Sequence, residues 1–140
     1  MKEFDFEIEL EVRDYECDVQ GIVNNAVYQN YLEHARHKFL QTVGLDFNKM
    51  HNDGIDGVVI RAEIDYKFPL QPGEEFFVRL KVAKQGRLRI VFLQKVIRKA
   101  DEKLMVDAKI FTVLTRSGRP ISPDIFIEKF EDRGIKLIDI

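Results

Sequence analysis

Apolar side chains at Phe4, Phe6, Ile8, Leu10 and Val12 alternate with Asp5, Glu7, Glu9, Glu11 and Arg13. A period of two predicts a strand with one buried and one wetted face. From Asn25 the period changes. Tyr28, Tyr31, Leu32, Ala35, Phe39 and Val43 recur at three- and four-residue steps, which predicts one helix of about five turns. Gly44 is placed to end it in the left-handed conformation. Leu45 to Asp56 has no clear period and reads as a short helix or a loop. Four strands are then predicted. Ile60 to Phe68 alternates and is stopped by Pro69 to Gly73, and Phe76 to Val82 turns at Gln85-Gly86. Leu88 to Ile97 and Leu104 to Leu114 are more continuously apolar. Ser122 as cap and Pro123 as first residue announce a short terminal helix.

Short connections between consecutive strands favour an antiparallel meander, and the long helix after the first strand is the element able to cover its apolar face. The expected class is α+β: five antiparallel strands wrapped around one helix, with residues 1–140 as a single domain. Val91, Leu93, Ile97, Met105, Phe111 and Val113 are expected on or near the opposite face, where water would meet them unless a second chain covers it. A homodimer or homotetramer is therefore expected.

Charge changes this picture in one place. The chain is nearly neutral, at −2 with an isoelectric point near 5.9, which argues against nucleic acid as a partner. Residues 79–100 nevertheless carry eight Lys or Arg and no acid. Lys84, Arg87 and Arg89 bracket the Gln85-Gly86 turn, where side chains from two strands converge and can hold a phosphate. Cys17 is the only cysteine, so no intrachain disulfide forms, and a reducing compartment, the cytoplasm, is expected. No run reaches the roughly 18 apolar residues of a membrane span, so no membrane partner is expected.

The chemistry concentrates between the first strand and the helix. Asp18 lies too far ahead to be the ordinary cap, and Asn24 or Asn25 is better placed for that role. Its carboxylate is thus expected to be free near the unpaired amides and positive end of the helix. Such a place suits a carbonyl substrate: amides stabilise the developing oxyanion while the carboxylate attacks or activates water. Glu33, His34 and His37 share a helix face, but no Cys pair or third His completes a zinc set. No metal or other cofactor is expected. Serine-hydrolase signatures and phosphate loops are absent.

The run Asp18-x-x-Gly21-x-Val23-x-x-x-x-Tyr28-x-x-Tyr31-x-Glu33-x-x-Arg36 resembles the signature of the hotdog-fold acyl-CoA thioesterases, the 4-hydroxybenzoyl-CoA thioesterase-like superfamily. Val58 to Tyr66 with Pro72-Gly73-Glu74, and Gly118-Arg119-Pro120, extend the resemblance over nearly the whole chain. It implies a hotdog fold and thioester hydrolysis with Asp18 as catalyst and the Asn25 amide as oxyanion donor. Gly21, Val23 and Tyr28 then fall to substrate binding, and Glu33 is a reserve catalytic acid because another branch of the fold uses a helix glutamate. The basic residues Lys84, Arg87 and Arg89 would hold the phosphates of acyl-CoA. Glu16 stands where many members have aspartate, and the Asn24-Asn25 pair is similar to members acting on acyl-carrier protein, which keeps that substrate open. A non-catalytic acyl-CoA sensor would need an output module, and a hydratase would need a histidine near the helix start.

Overall fold

The computed structural model describes residues 3–140. A strand β1 (Phe6–Glu11) and a single 3-10 turn (Asp14–Glu16) lead into the long helix α1 (Asn25–Thr42). There follow α2 (Phe47–Asn52), β2 (Ile55–Tyr66), β3 (Glu75–Gln85), β4 (Arg89–Arg98) and β5 (Leu104–Arg116). The chain ends through β6 (Arg119–Pro120), α3 (Asp124–Asp132) and β7 (Ile138–Asp139).

Helix α1 forms where the apolar period requires it. Asn24 caps it by accepting a hydrogen bond from the Ala26 N–H at 3.0 Å, and Gly44 follows its end at φ 81°, a conformation that favours glycine. Its inner face, Tyr28, Tyr31, Leu32, Ala35, Phe39 and Leu40, is buried against Phe76, Val78 and Leu80 of β3 and Phe92 of β4 in one core. Each large apolar side chain of this set, such as Leu32, Phe39 or Leu40, contributes about 1.5–3 kcal/mol on burial, so packing rather than propensity holds the helix to the sheet.

The five long strands are antiparallel to their neighbours in the order β1-β3-β4-β5-β2. A sheet wrapped on one helix is what the periodicity predicted. Details differ. Strands β3, β4 and β5 form the expected meander, but β2 pairs with β5 rather than with its sequence neighbour β3. Residues 67–74 cross the end of the sheet to make this possible. Leu70 is fully buried there, and its N–H donates to the Tyr28 hydroxyl at 2.9 Å. Strand β2 also starts earlier than the alternation indicated, at Ile55, and a short helix precedes it. The two-residue strands β6 and β7 had no sequence signal, and β7 runs parallel to β3. At α3 the cap is Pro123, with Ser122 Oγ only 3.4 Å from the Asp124 N–H it accepts.

The outer face of the sheet requires a larger correction. Val91, Ile97, Phe111 and Val113 are all buried within the single chain, Met105 belongs to the inner core, and Leu93 is partly open. Neighbouring apolar side chains and long cations cover this face: Ala83, Val91 and Phe111 cluster together, and the Arg61 guanidinium lies over the Phe111 ring. A run of exposed apolar side chains lies on β2 and its exit. Val58, Val59, Ile60, Tyr66 and Phe68 are each 43–48% exposed.

Candidate active site

The loop before α1 is a small hairpin. Cys17 bridges Val23, the Asp18 N–H donates to the Ile22 carbonyl at 2.9 Å, and the Gly21 N–H donates back to the Asp18 carbonyl at 3.0 Å. Gly21 sits at φ 76° with nothing within 4 Å of where a Cβ would be, so conformation and not space requires glycine. The Asn24 N–H donates to the Glu16 carbonyl at 3.0 Å, fixing the strand that carries Asp18 beside the start of the helix. Asp18 is exposed, and one carboxylate oxygen accepts the Gln20 N–H at 2.8 Å. The expectation of a wholly free carboxylate is thus half met: Oδ1 is engaged and Oδ2 has no partner among the described residues.

The Asn25 N–H also has no partner among the described residues, because Asn24 uses its side chain on Ala26 and its carbonyl on Val27. A free amide and a carboxylate therefore flank one helix start. On the other side of that start, the Tyr66 hydroxyl at the end of β2 lies 3.4 Å from the Asn25 carbonyl. Val23 and Tyr28 are almost fully buried. Val23 N–H donates to the Leu70 carbonyl and the Tyr28 hydroxyl accepts from Leu70, so both tie the 67–74 crossing to the hairpin.

One organising residue has no sequence signal beyond its departure from the related pattern. Glu16 accepts the Arg13 N–H at 2.8 Å and the Tyr31 hydroxyl at 2.7 Å, clamping the hairpin to the second turn of α1. Burial, reinforced by the Glu16 carboxylate, pushes the Tyr31 hydroxyl far above its usual range, so it remains a donor. Tyr31→Phe is expected to lower unfolding free energy by about 1–2 kcal/mol, the value of one hydrogen bond to a partly solvated charge. Urea denaturation checks this; an unchanged midpoint and slope would show that the clamp is idle. Burial also raises the Cys17 thiol, with Asp14, Glu16 and Asp18 adding to the effect, which opposes thiolate chemistry.

Glu33 and Arg36 do not pair with each other. Arg36 donates to Gln94 Oε1 at 3.0 Å, and the fully buried Gln94 donates to the Leu32 carbonyl at 2.9 Å. Burial pulls Arg36 down to about 10, against the opposing pull of the Glu33 carboxylate. Both residues line a groove between α1 and β2. Its first part, about 230 Å³, is bounded by Gln29, Asn30, Glu33, Arg36, Val59 and Ala62. The second, about 160 Å³, shares Glu33, Arg36 and Val59 and ends among Leu40, Phe47, Gly57, Phe92, Thr112 and Phe126. The groove exists because α1 sits over β1 and β3, leaving the inner face of β2 uncovered. Thr112 Oγ1 is buried there without a hydrogen-bond partner among the described residues.

Lys84, Arg87 and Arg89 are not beside Asp18. They surround the β3–β4 turn, with Ser122, Pro123 and Asp124 opposite Lys84 and Arg87, whereas the hairpin abuts the other end of β3. The length of β3, from Glu75 to Gln85, separates the two, roughly 33 Å at 3.3 Å per residue. Elsewhere in the basic stretch, Arg79 pairs with Glu7, Arg98 with Asp101 and Glu74, and Lys99 with Glu9 and Glu75. Arg89 bonds the Gln85 amide oxygen, Lys84 has a loose contact to Asp139 at 3.8 Å, and Arg87 has no ion pair among the described residues. No cluster of three His, Cys, Asp or Glu side chains able to hold a metal occurs among the described residues.

A sheet curled on one helix, with a carboxylate hairpin at the helix start, defines a hotdog-fold protein of the thioesterase type. The chain belongs to the thioesterase-like superfamily, whose family profile matches residues 12–127. It is 34% identical over 122 residues to the chloroplastic acyl-acyl carrier protein thioesterase ATL3 of Arabidopsis thaliana, a match covering 86% of this chain and 64% of that one. This chain thus spans under two thirds of that relative's length. A putative esterase of Aquifex aeolicus is 30% identical over 86% of this chain and 94% of its own. Among solved structures, a hypothetical protein from Aquifex aeolicus superposes with TM-score 0.83 at 29% identity, covering 89% of this chain and 98% of that one. A thioesterase from Thermus thermophilus complexed with coenzyme A and Zn gives TM-score 0.78 at 27% identity, with 94% and 96% covered. Among the described residues, no helix is long and apolar enough to cross a membrane.

Proposed function

We propose that this protein hydrolyses acyl thioesters to a free acid and a thiol, with Asp18 as nucleophile or general base and the Asn25 N–H as oxyanion donor. The observation that carries the reading is the unpartnered Asn25 N–H at the start of α1, with the Asp18 hairpin fastened beside it through Glu16 and Asn24. A thioester carbonyl oxygen accepting that amide would gain charge as the carbon is attacked, and the helix dipole favours that charge. The acyl group is carried by CoA or by an acyl-carrier protein; relatives named for the second and a structure complexed with the first motivate testing both. A thiol-detecting assay over acyl-CoA and acyl-carrier-protein esters tests the reading. Release of thiol from no member of the panel would overturn it.

Asp18 lies on an exposed hairpin, and such a site needs a wall to exclude water. A second copy supplies it in this reading. Strand β2 presents a sheet edge of 12 residues with apolar side chains on both faces, and pairing two such edges about a two-fold axis gives a homodimer, or a homotetramer of two dimers. The two-fold also accounts for the basic turn. Gln85, Arg89, Val113 and Val58 lie in one row across the sheet, at the end opposite Tyr66. Antiparallel pairing of two β2 strands brings that end of one copy to the Tyr66 end of the other. Lys84, Arg87 and Arg89 then act in trans on the nucleotide phosphates of a CoA whose thioester is at Asp18. Replacing Arg87 and Arg89 together with Ala is expected to raise KM for acyl-CoA several-fold with kcat nearly unchanged, while an acyl-pantetheine substrate is hydrolysed as before. Equal losses on both substrates would make the arginines structural.

Glu33 is the second reading, because it lines the α1–β2 groove directly while Asp18 lies outside it. Glu33→Gln separates the two.

A further inference from the structure

Residues 79–100 carry eight cations, and six of them already have a place. Lys84, Arg87 and Arg89 gather at the β3–β4 turn, while Arg79, Arg98 and Lys99 are held in ion pairs. Lys81 and Lys95 remain. Among the described residues neither makes an ion pair or a side-chain hydrogen bond, yet the fold brings both to one cavity of about 260 Å³ on the face of the sheet opposite α1. Its floor is apolar. Leu93 and Leu104 are partly open there, Ile97 is almost fully buried, and Phe4 lines one side.

The register makes this placement costly. Arg79 on β3 and Lys95 on β4 are Cα partners, and Lys81 lies on the same face diagonal to Lys95, about 7–8 Å away. Like charges directly opposite destabilise a sheet. Arg79 is relieved by Glu7 at 2.6 Å and by the rings of Phe4 and Phe77 at 5.0 and 5.5 Å. Lys95 has no such relief among the described residues. Asp107 is its partner on β5 but forms no ion pair with it, and Asp107 in turn faces Asp65 on β2. Asp5, just before β1, spends its carboxylate on the Val82 N–H, and Glu102 keeps only a 3.9 Å contact to Arg79. Glu3 is the remaining acid at the rim of the cavity. With Arg79 neutralised by Glu7, the two lysines and Glu3 leave one net positive charge over an apolar floor.

We propose that this cavity is a second binding site, on the other face of the sheet from the Asp18 hairpin, and that it takes a small amphipathic monocarboxylate. The carboxylate lies between Lys81 and Lys95, and the apolar body rests on Leu93, Ile97 and Leu104. Charge and shape both select this class. One net positive charge matches a monoanion, each ammonium can donate to a carboxylate oxygen, and the floor stabilises only a ligand with apolar area to bury. At about 260 Å³ the cavity exceeds the roughly 150 Å³ that takes a benzene-sized guest. It is below the roughly 300–1,000 Å³ of pockets for drug-sized ligands, so it suits a short chain or a single ring. The cavity lies over β3, β4 and the first residue of β5, away from the β2 edge, and a dimer joined at that edge leaves it accessible.

Octanoate titrated into methyl-labelled protein, followed by NMR, is the test. The methyl signals of Leu93, Ile97 and Leu104 are expected to shift and to saturate at millimolar octanoate. Lys81→Gln and Lys95→Gln should each raise Kd roughly threefold to tenfold, the scale of one lysine–carboxylate contact at a partly solvated rim, and the double variant more. Octylamine, with the same tail and the opposite charge, should leave these methyls in place, and octyl phosphate should bind no more tightly than octanoate. Lys95 is exposed and Lys81 half-buried, so the variants should keep their fold. Lys95→Gln, which removes the like charge opposite Arg79, should melt no lower than the parent. Unmoved methyls, an unchanged Kd in the folded double variant, or octylamine binding as tightly as octanoate overturns the proposal, and tighter binding of octyl phosphate overturns the carboxylate assignment. A double variant that changes sedimentation while octanoate binding stays the same would overturn it in favour of a contact between copies. None of these readouts needs catalysis, so failure of the hydrolytic reading leaves the site standing, and failure of the site leaves that reading untouched.

Discussion

Asp18→Asn is expected to fold like the parent and to lose at least about a hundredfold in kcat/KM on its best thioester, the usual contribution of a positioned base or nucleophile. The substitution is conservative where it matters for structure. Asparagine retains an oxygen to accept the Gln20 N–H, so the hairpin and its left-handed Gly21 persist. It removes only the ability to take a proton or attack carbon. Comparison with Glu33→Gln makes the result decisive, because Glu33 lies about 12 Å further along the helix than its first residue, Asn25. A near-parental rate for Asp18→Asn with a collapsed rate for Glu33→Gln would transfer catalysis to the groove.

Charging the β2 edge is expected to have an effect of similar size by a different route. Val58→Lys combined with Ile60→Lys puts two charges of each copy into the strand pair, where they would lie against the other copy's apolar side chains, which opposes association. Sedimentation at micromolar concentration should move from a dimer or larger to a 16.4 kDa species, and activity should fall at least tenfold. Both side chains are already exposed in the single subunit, so the subunit itself should keep its fold and its circular dichroism. A parent protein that sediments as 16.4 kDa would remove the dimer from the proposal and leave Asp18 needing another wall.

The helix and the five long strands were legible because each is local. Periods of two and 3.6, an asparagine cap and a glycine stop act within a few residues. What stayed illegible depends on which strand meets which. The pairing of β2 with β5 goes with a crossing anchored by the buried Leu70 and its bond to Tyr28 across 42 positions, and nothing in the alternation of β2 records it. The same holds for the outer face. Its apolar residues read as uncovered because the cover comes from cross-strand neighbours and the guanidinium of Arg61, not from a second layer. Arg36 turning to Gln94 instead of Glu33 is another long-range choice, made 58 positions away. The separation of the basic turn from Asp18 became visible only once the direction of β3 was known.

The crossing at residues 67–74 also has a consequence for how the chain is made. Strand β2 is synthesised some forty residues before β5, the long strand it pairs with, and at about 5–20 residues per second that interval lasts a few seconds. During it the growing chain carries a strand without a partner, at a stage when β3 and β4 can already close on each other through their short turn. Arg61, Glu63, Asp65 and Lys67, spaced along that strand and its exit, put a charge at every second position throughout the wait. Charged side chains flanking an unpaired apolar strand are the kind that oppose its pairing with neighbouring nascent chains.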